Sequence, residues 1–451
     1  MKILQIAHSF LPHSVAGVEV YTYSLCRQLT ASHQVFVFHR ISNLKSKEYE
    51  IRFKKDENLF VYSINNTFRR SYSFEDLYIN RSIEKEFEKI LDEINPDIVH
   101  IQHLAFLSIG LLKNIKERNI PVVFTLHDYW LICPNCQLLR RDLSLCDGND
   151  VIQCIDCLDC LYIKRLPKKI FLCIRNVIPK GFLNFFRKIY LDCAKGATDI
   201  LFAKNKIEVR INYMKEIFEL VDIFVAPSKF LMEMFIKFGI PENKIRFIRN
   251  GIDSKPLESF RKKNSSDKMR FGFIGTMLPA KGLDILINAF NMIQNKKVEL
   301  KIYGKLFPCD GFEYYLKRIK KLAKNSNIKF MGEFHNRDIA KVFSEIDILV
   351  VPSIWNENSP LVIQEAFLYR IPVIASRAGG IPELVNDGVN GLLFSAGDIR
   401  DLKEKLEYII GDYKIINRFK ENMPEIKSIK KNAEELEEIY KNLIKKGLAN
   451  N

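Results

Sequence analysis

Two carboxylates eight positions apart carry the strongest chemical signal in this chain. They are Glu357 and Glu365, within the run Trp355-Asn356-Glu357-Asn358-Ser359-Pro360-Leu361-Val362-Ile363-Gln364-Glu365-Ala366-Phe367. The stretch before them, Ile346 to Pro352 (IDILVVP), is short and apolar, as a buried parallel strand is. Ser359 is of the type that caps a helix N-terminus, and Pro360 of the type found at the first helical position. This spacing places Glu357 in the loop at the carboxyl end of a strand and Glu365 about one and a half turns into the next helix. Open α/β sheets bind ligands at that edge. The amides at the start of the helix would face a phosphate, and the two carboxylates could accept hydrogen bonds from hydroxyls on either side of it. A nucleotide sugar has that layout: sugar, diphosphate, ribose.

The arrangement resembles the Glu-x7-Glu motif of the retaining GT-B glycosyltransferases, specifically glycosyltransferase family 4. The resemblance implies that Glu357 contacts the transferred sugar and Glu365 the ribose, with Asn358, Ser359, Pro360 and Leu361 beside the donor. The neighbouring loops agree. Arg270 to Ile274 reads as a strand, Gly275 to Gly282 (GTMLPAKG) as a loop and Leu283 to Met292 as a helix. Lys281 stands at the helix start, where its ammonium and the helix amides together could neutralise a diphosphate. The family usually has Arg where this chain has Thr276, so Lys281 matches and Thr276 departs. Arg377, after the next strand, is the candidate for the missing cation. That strand, Ile371 to Ser376, leads through Arg377-Ala378-Gly379-Gly380-Ile381-Pro382-Glu383 into an expected helix. Gly379 and Gly380 let the backbone approach a ligand, and the family carries a similar Gly-Gly-x-Pro-Glu stretch. A plain turn explains these glycines equally well.

The N-terminal half has a matching set. Lys2 to Ala7 reads as a strand, His8 to Gly17 as a loop and Val18 to about Leu29 as a helix. The family expects a Gly-Gly pair opening this helix, against the donor phosphate or the acceptor; here the pair is Ala16-Gly17. Val122 to Leu126 is an apolar strand followed by His127. In the family a histidine at this place contacts the sugar. His100 and His103, at another strand end, read as structural. Phe224 to Ser228 and Ile245 to Ile248 read as the last strands of this half, and Asn250-Gly251-Ile252-Asp253 leads in the family from the first domain to the second. The polar segment Arg261 to Lys268 has the composition of a linker.

A chain of 451 residues, 47% hydrophobic, is natural for two domains with full cores. The expected division is 1–255, carrying an insertion over about 131–195, then 256–424, then a C-terminal helix in 425–451 that in the family returns to the first domain. Apolar residues at helical spacing between Asn432 and Lys446 support that helix. No apolar run reaches the roughly 18 residues of a membrane span, and the N-terminus reads as a strand rather than a signal peptide. A cytoplasmic protein is expected, held at the inner face of the membrane.

The net charge of +15 is uneven. Between Leu161 and Tyr190 lie Lys164, Arg165, Lys168, Lys169, Arg175, Lys180, Arg187 and Lys188 and no acid, interleaved with Phe, Leu and Ile. Such a run suits an anionic membrane surface; a basic helix pair packed on the domain is the plainer alternative. No nucleic-acid-binding module accompanies the charge, so no nucleic-acid partner is expected. Cysteines cluster as well: Cys133, Cys136, Cys146, Cys154, Cys157 and Cys160 fall within 28 residues. In a cytosolic chain such spacing suggests thiolate ligation more than disulfides. A structural zinc is the expectation, with an iron–sulfur cluster, free thiols or a redox role as alternatives.

The fold class that follows is α/β: GT-B, two Rossmann-like domains facing across a cleft. The expected reaction moves a sugar from a nucleotide-diphosphate sugar to a glycan or lipid-linked acceptor in cell-surface polysaccharide or glycolipid synthesis. The resemblance implies retention at the anomeric carbon with no cofactor required for catalysis. Lys281 would stabilise the leaving diphosphate, while Glu357 and His127 position the sugar. Two rivals remain open: a nucleotide-sugar epimerase or hydrolase that needs no acceptor, and a catalytically silent GT-B scaffold.

Overall fold

The computed structural model describes residues 1–69, 73–148, 151–158, 197–255, 266–305 and 314–449. The basic run 161–190, Cys160 and residues 261–265 of the polar linker lie outside them. The chain forms two compact units. One comprises 1–226, 235–246 and 435–451, and the other 227–234 and 247–434. The main division thus falls between Arg246 and Phe247.

The first unit is built on eight strands: β1 (Lys2–Ala7), β2 (Gln34–Ile41), β3 (Ile51–Asp56), β4 (Leu59–Asn65), β5 (Ile98–Ile101), β6 (Val122–Thr125), β7 (Ile223–Ala226) and β8 (Ile245–Phe247). Their order is β3-β4-β2-β1-β5-β6-β7-β8. The central strands are parallel and read as continuous apolar runs, because helices cover both faces. β3 runs antiparallel to β4. It is an exposed edge whose Arg52, Lys54 and Lys55 discourage further strand pairing. The chain reverses direction between β1 and β5, where sequential strands leave on opposite sides. His100, in the middle of β5, is a core residue: its ring nitrogens pair with Tyr440 Oη at 2.5 Å and Thr125 Oγ1 at 2.7 Å. Tyr440 belongs to the final helix, Ile429–Ala449, which is longer at both ends than the sequence pattern suggested.

The second unit has six parallel strands: β9 (Met269–Ile274), β10 (Val298–Tyr303), β11 (Ile328–Gly332), β12 (Ile348–Val351), β13 (Val373–Ser376) and β14 (Gly391–Phe394), in the order β11-β10-β9-β12-β13-β14. This is the doubly wound dinucleotide-fold order, with its switch point between β9 and β12. Alternate side chains feed two apolar clusters, one on each face. Phe271, Ile348, Val350 and Ile374 pack with the helices Leu283–Asn291 and Ile399–Gly411. Leu349, Val351, Val373 and Ala375 pack with the helices Ile339–Ser344 and Leu361–Leu368. Burying each such side chain contributes about 1.5–3 kcal/mol, so the strands are held in place and their loops can be strained.

Two local expectations are corrected. The helix after β12 starts at Leu361, with Pro360 as its N-cap residue and no side-chain cap. Ser359 is therefore not the cap; its Oγ accepts a hydrogen bond from Gln364 Nε2 at 3.2 Å instead. After β13 there is no helix but a single 3-10 turn, Ile381–Glu383. Two glycines and a proline leave too few helix-forming residues before the turn at Asn386, and Glu383 is drawn away to a neighbouring segment.

Candidate active site

In the second unit the loops after β9, β12 and β13 meet at the switch point. The loop after β9 makes a 3-10 turn, Pro279–Lys281, and Gly282 then takes φ +65° to open the helix Leu283–Asn291. A side chain at Gly282 would collide with the carbonyl of Pro352, at the end of β12. Ile354 N–H donates to the Ala280 carbonyl at 2.9 Å, so the two loops lie against each other.

That contact brings Lys281 to Glu357. Lys281 Nζ donates to Glu357 Oε1 at 2.6 Å, and Ser353 Oγ donates to the same oxygen at 2.6 Å. Glu357 is buried, and its Oε2 has no protein partner among the described residues. Lys281 also lies 5.3 Å over the Trp355 ring. Ser353 is held in turn, because its carbonyl accepts from Ser376 Oγ at 2.5 Å. The third loop closes the set. Gly380 N–H donates to the Glu357 carbonyl at 2.7 Å, and Gly379, at φ +58°, passes so close to that carbonyl that a side chain would clash. Asn358 Oδ1 accepts from Ser228 Oγ at 2.8 Å. Glu383 accepts the N–H groups of Lys229 and Phe230 at 3.0 and 2.7 Å, capping the helix Lys229–Lys237.

Glu365 lies one turn into its helix, half-buried, and its carboxylate takes no hydrogen bond or ion pair among the described residues. Burial pushes its acid constant up to about 7. A carboxylate kept without a partner at this edge can accept hydroxyls from a ligand. Gly275 follows β9, with its N–H on the Tyr303 carbonyl at 3.1 Å, and Thr276 comes next, half-buried. Arg377 is brought to a different partner: its guanidinium pairs with Asp387 at 2.9 Å on the exposed side of its loop. Leu361 is the first residue of the helix.

The first unit gathers a second polar group at its own switch point. His127 Nε2 pairs with Gln102 Oε1 at 2.7 Å, and Gln102 Nε2 donates to Gln5 Oε1 at 2.9 Å. The amide is thereby oriented, so His127 Nε2 carries a proton. Burial brings His127 down to about 3, and it stays neutral. His103 is pinned more fully, its Nδ1 accepting from Ala105 N–H at 3.0 Å and its Nε2 facing Asp128 at 3.2 Å. His8 meets His103 edge-to-face, with ring centroids 4.5 Å apart, and faces the buried Glu19 at 3.4 Å. Ala16 is the uncapped N-cap residue of the helix Gly17–Leu29, and both Ala16 and Gly17 are exposed. Sequence reasoning missed His8, Glu19, Asp128 and Ser353, and treated His103 as merely structural. The signal for His8 was present: it directly follows a buried strand.

The site geometry can be compared with known proteins. Residues 254–426 match the glycosyl transferases group 1 family, and residues 15–145 and 201–255 match glycosyltransferase family 4. The chain belongs to glycosyltransferase family 4. Its fold is GT-B: HepE from Anabaena, solved in complex with UDP and glucose, superposes with a TM-score of 0.63 at 17% identity, over 98% of this chain and 99% of HepE. Sucrose-phosphate synthase from Thermosynechococcus elongatus gives a TM-score of 0.66 at 18% identity, over 98% of both chains. Among sequence relatives, an uncharacterized 42.6 kDa protein in the cps region of Klebsiella pneumoniae is 24% identical over 89% of this chain and 91% of its own length. The capsular polysaccharide biosynthesis glycosyltransferase CapM of Staphylococcus aureus is 26% identical over 56% of this chain; the chain spans 63% of CapM. This glycosyltransferase departs from both family patterns over 146–200, the segment that holds the later cysteines and the basic run. No helix among its described residues is long and apolar enough to cross a membrane.

Proposed function

We propose that this glycosyltransferase moves a sugar from a nucleotide-diphosphate sugar to a glycan or lipid-linked acceptor in cell-surface polysaccharide synthesis, with retention at the anomeric carbon. The observation that carries the reading is the placement of Glu357, Lys281 and Glu365 around one strand–helix junction of the second unit. Glu365, unpartnered, accepts the ribose hydroxyls. Glu357, oriented by Ser353, offers Oε2 to a sugar hydroxyl. Lys281 turns from Glu357 toward the diphosphate as negative charge grows there. A cation placed where charge develops stabilises the transition state more than the ground state, which is what accelerates the step. The departing phosphate oxygen takes the acceptor proton on the same face, and neutral His127, once its Nε2–H leaves Gln102 Oε1, donates to an acceptor oxygen.

HepE in complex with UDP and the capsular role in the name of CapM support a uridine donor and a polysaccharide product. The test is release of nucleoside diphosphate from UDP-, GDP- and ADP-sugars, with and without a lipid extract as acceptor source. Release that requires acceptor, with an α-linked product from an α-donor, is expected. Equal release without acceptor would replace the transferase reading by hydrolysis.

The basic, Phe-rich run 161–190 supports docking on an anionic membrane, each engaged Lys or Arg contributing on the order of 1 kcal/mol. The full chain should sediment with vesicles containing phosphatidylglycerol at low salt and stay in solution with neutral ones; indifference to vesicle charge would remove this part. A structural zinc among the cysteines would brace its loop and take no part in the reaction.

A further inference from the structure

The pair His127 and Gln102, at the carboxyl edge of β5 and β6, bears on which kind of ligand group the first unit can take. His127 Nε2–H donates to Gln102 Oε1 at 2.7 Å. The two residues are held very differently. Gln102 is fully buried. Its amide is fixed on the far side, where Nε2 donates to Gln5 Oε1 at 2.9 Å and lies 3.3 Å from both ring nitrogens of His100. His100 is itself held at both nitrogens, by Tyr440 and Thr125. His127 is half-buried and stands just beyond the end of its strand. A ligand that reaches the pair therefore displaces His127 and leaves Gln102 in place.

Parting the pair uncovers two polar atoms with opposite needs. Gln102 Oε1 is an acceptor and needs a hydrogen; His127 Nε2–H is a donor and needs a lone pair. A buried polar atom that loses its partner carries the full desolvation penalty. The entering group must satisfy both atoms at once. An ether oxygen, an ionised phosphate or a carboxylate accepts from His127 and offers Gln102 no hydrogen. An ammonium gives Gln102 a hydrogen and offers His127 no lone pair. A hydroxyl does both. Two hydrogen bonds meeting at one oxygen span about 4.5–5 Å, so His127 Nε2 needs to withdraw by only about 2 Å from its present position.

We propose that the first unit selects its acceptor by inserting an acceptor hydroxyl between His127 Nε2 and Gln102 Oε1, with Gln102 as the residue that sets the selection. The proposal rests on the reading of this protein as a transferase whose first unit takes the acceptor. The inserted hydroxyl is not the attacking one, whose proton goes to the departing phosphate. It is a neighbouring hydroxyl that orients the acceptor, and no covalent bond changes at it. A site built to bond a hydroxyl on both sides rejects an analogue that lacks one, because its own buried groups are then left unpaired. The part of the acceptor held here is thus a neutral sugar ring and not a phosphate.

The experiment compares the full-length wild type with Gln102→Met and Gln102→Glu. Met keeps the length of the side chain and removes the accepting oxygen. Glu restores an acceptor, and Gln5 can supply it with an N–H by turning its amide. Nucleoside diphosphate release is measured against increasing lipid extract as the acceptor source. Gln102→Met should raise the extract needed for half-maximal release about tenfold or more, with nucleotide affinity by calorimetry unchanged. Gln102→Glu should recover most of that loss. A long-range proton–nitrogen spectrum of histidine-labelled wild type, with His127 assigned from His127→Gln, should show the Nε2–H tautomer. Wild-type dependence on extract in Gln102→Met, or an Nδ1–H tautomer in the wild type, would overturn the proposal. Release by the wild type that is equal without extract is a different failure, that of the transferase reading itself. If Gln102→Met fails to fold, the wild-type tautomer and the behaviour of Gln102→Glu still decide.

Discussion

Replacing Glu365 by Gln should make the ligand-free protein more stable at pH 8 and its nucleotide binding weaker. The side chain is close to isosteric, so packing is kept. Glu365 has its acid constant raised by burial from the ordinary 4.5 to about 7, with no cation to offset the burial. The folded state therefore holds the proton more tightly than the unfolded state, and stability falls as pH rises from about 4.5 through about 7. A shift of about 2.5 pH units corresponds to roughly 3 kcal/mol at full strength. The side chain is only half-buried, and water next to it reduces this to about 1–2 kcal/mol. For a unit of this size each kcal/mol moves the melting temperature about 2–4 °C, so Glu365→Gln should melt about 3–6 °C above wild type at pH 8. At pH 5 the wild-type carboxyl is itself protonated, and the difference should vanish. Affinity for the nucleotide should drop about 10- to 100-fold, the loss expected when a hydrogen bond to a charged group is replaced by a neutral one. The assay is thermal unfolding at both pH values, paired with nucleotide titration. A variant no more stable at pH 8, with unchanged nucleotide affinity, would refute the assignment of Glu365 as a carboxylate held ready for ligand hydroxyls.

Other outcomes follow from the same geometry. Lys281→Ala should lower kcat by about a hundredfold or more, the scale on which single charge-stabilising donors act; near-normal turnover in a steady-state assay would remove Lys281 from the leaving-group role. Ser353→Ala frees Glu357 Oε1 of one hydrogen bond and should lower kcat about tenfold or more, the value of a bond to a charged group, with donor KM little changed. An equal rise in KM alone would mean that Ser353 serves loop folding rather than the orientation of Glu357.

Much of the strand pattern in both units was legible from residue pattern. Buried parallel strands are short apolar runs, so β1, β9 and β12 fell within a residue or two of their observed ends. The junction after β12 was readable because strand, carboxylate and helix follow one another along the chain. The capping role of Ser359 was not, since a Gln five residues on competes for its hydroxyl. The strand pair β3 and β4 escaped notice because an exposed edge strand carries charges where a buried one carries Val and Ile. The polar group of His8, Glu19, His103 and Asp128 joins three strand ends that become neighbours only through the order β1-β5-β6. No spacing along the chain announces such a group.

The central claim is that the second unit holds a nucleotide-diphosphate sugar through Glu365 and Lys281. Its most direct test is calorimetric titration of UDP, GDP and ADP into wild type and Glu365→Ala. Saturable binding of one nucleotide to wild type, weakened at least tenfold in the variant, is the predicted result. Binding of none of the three, or equal binding to both proteins, would contradict it.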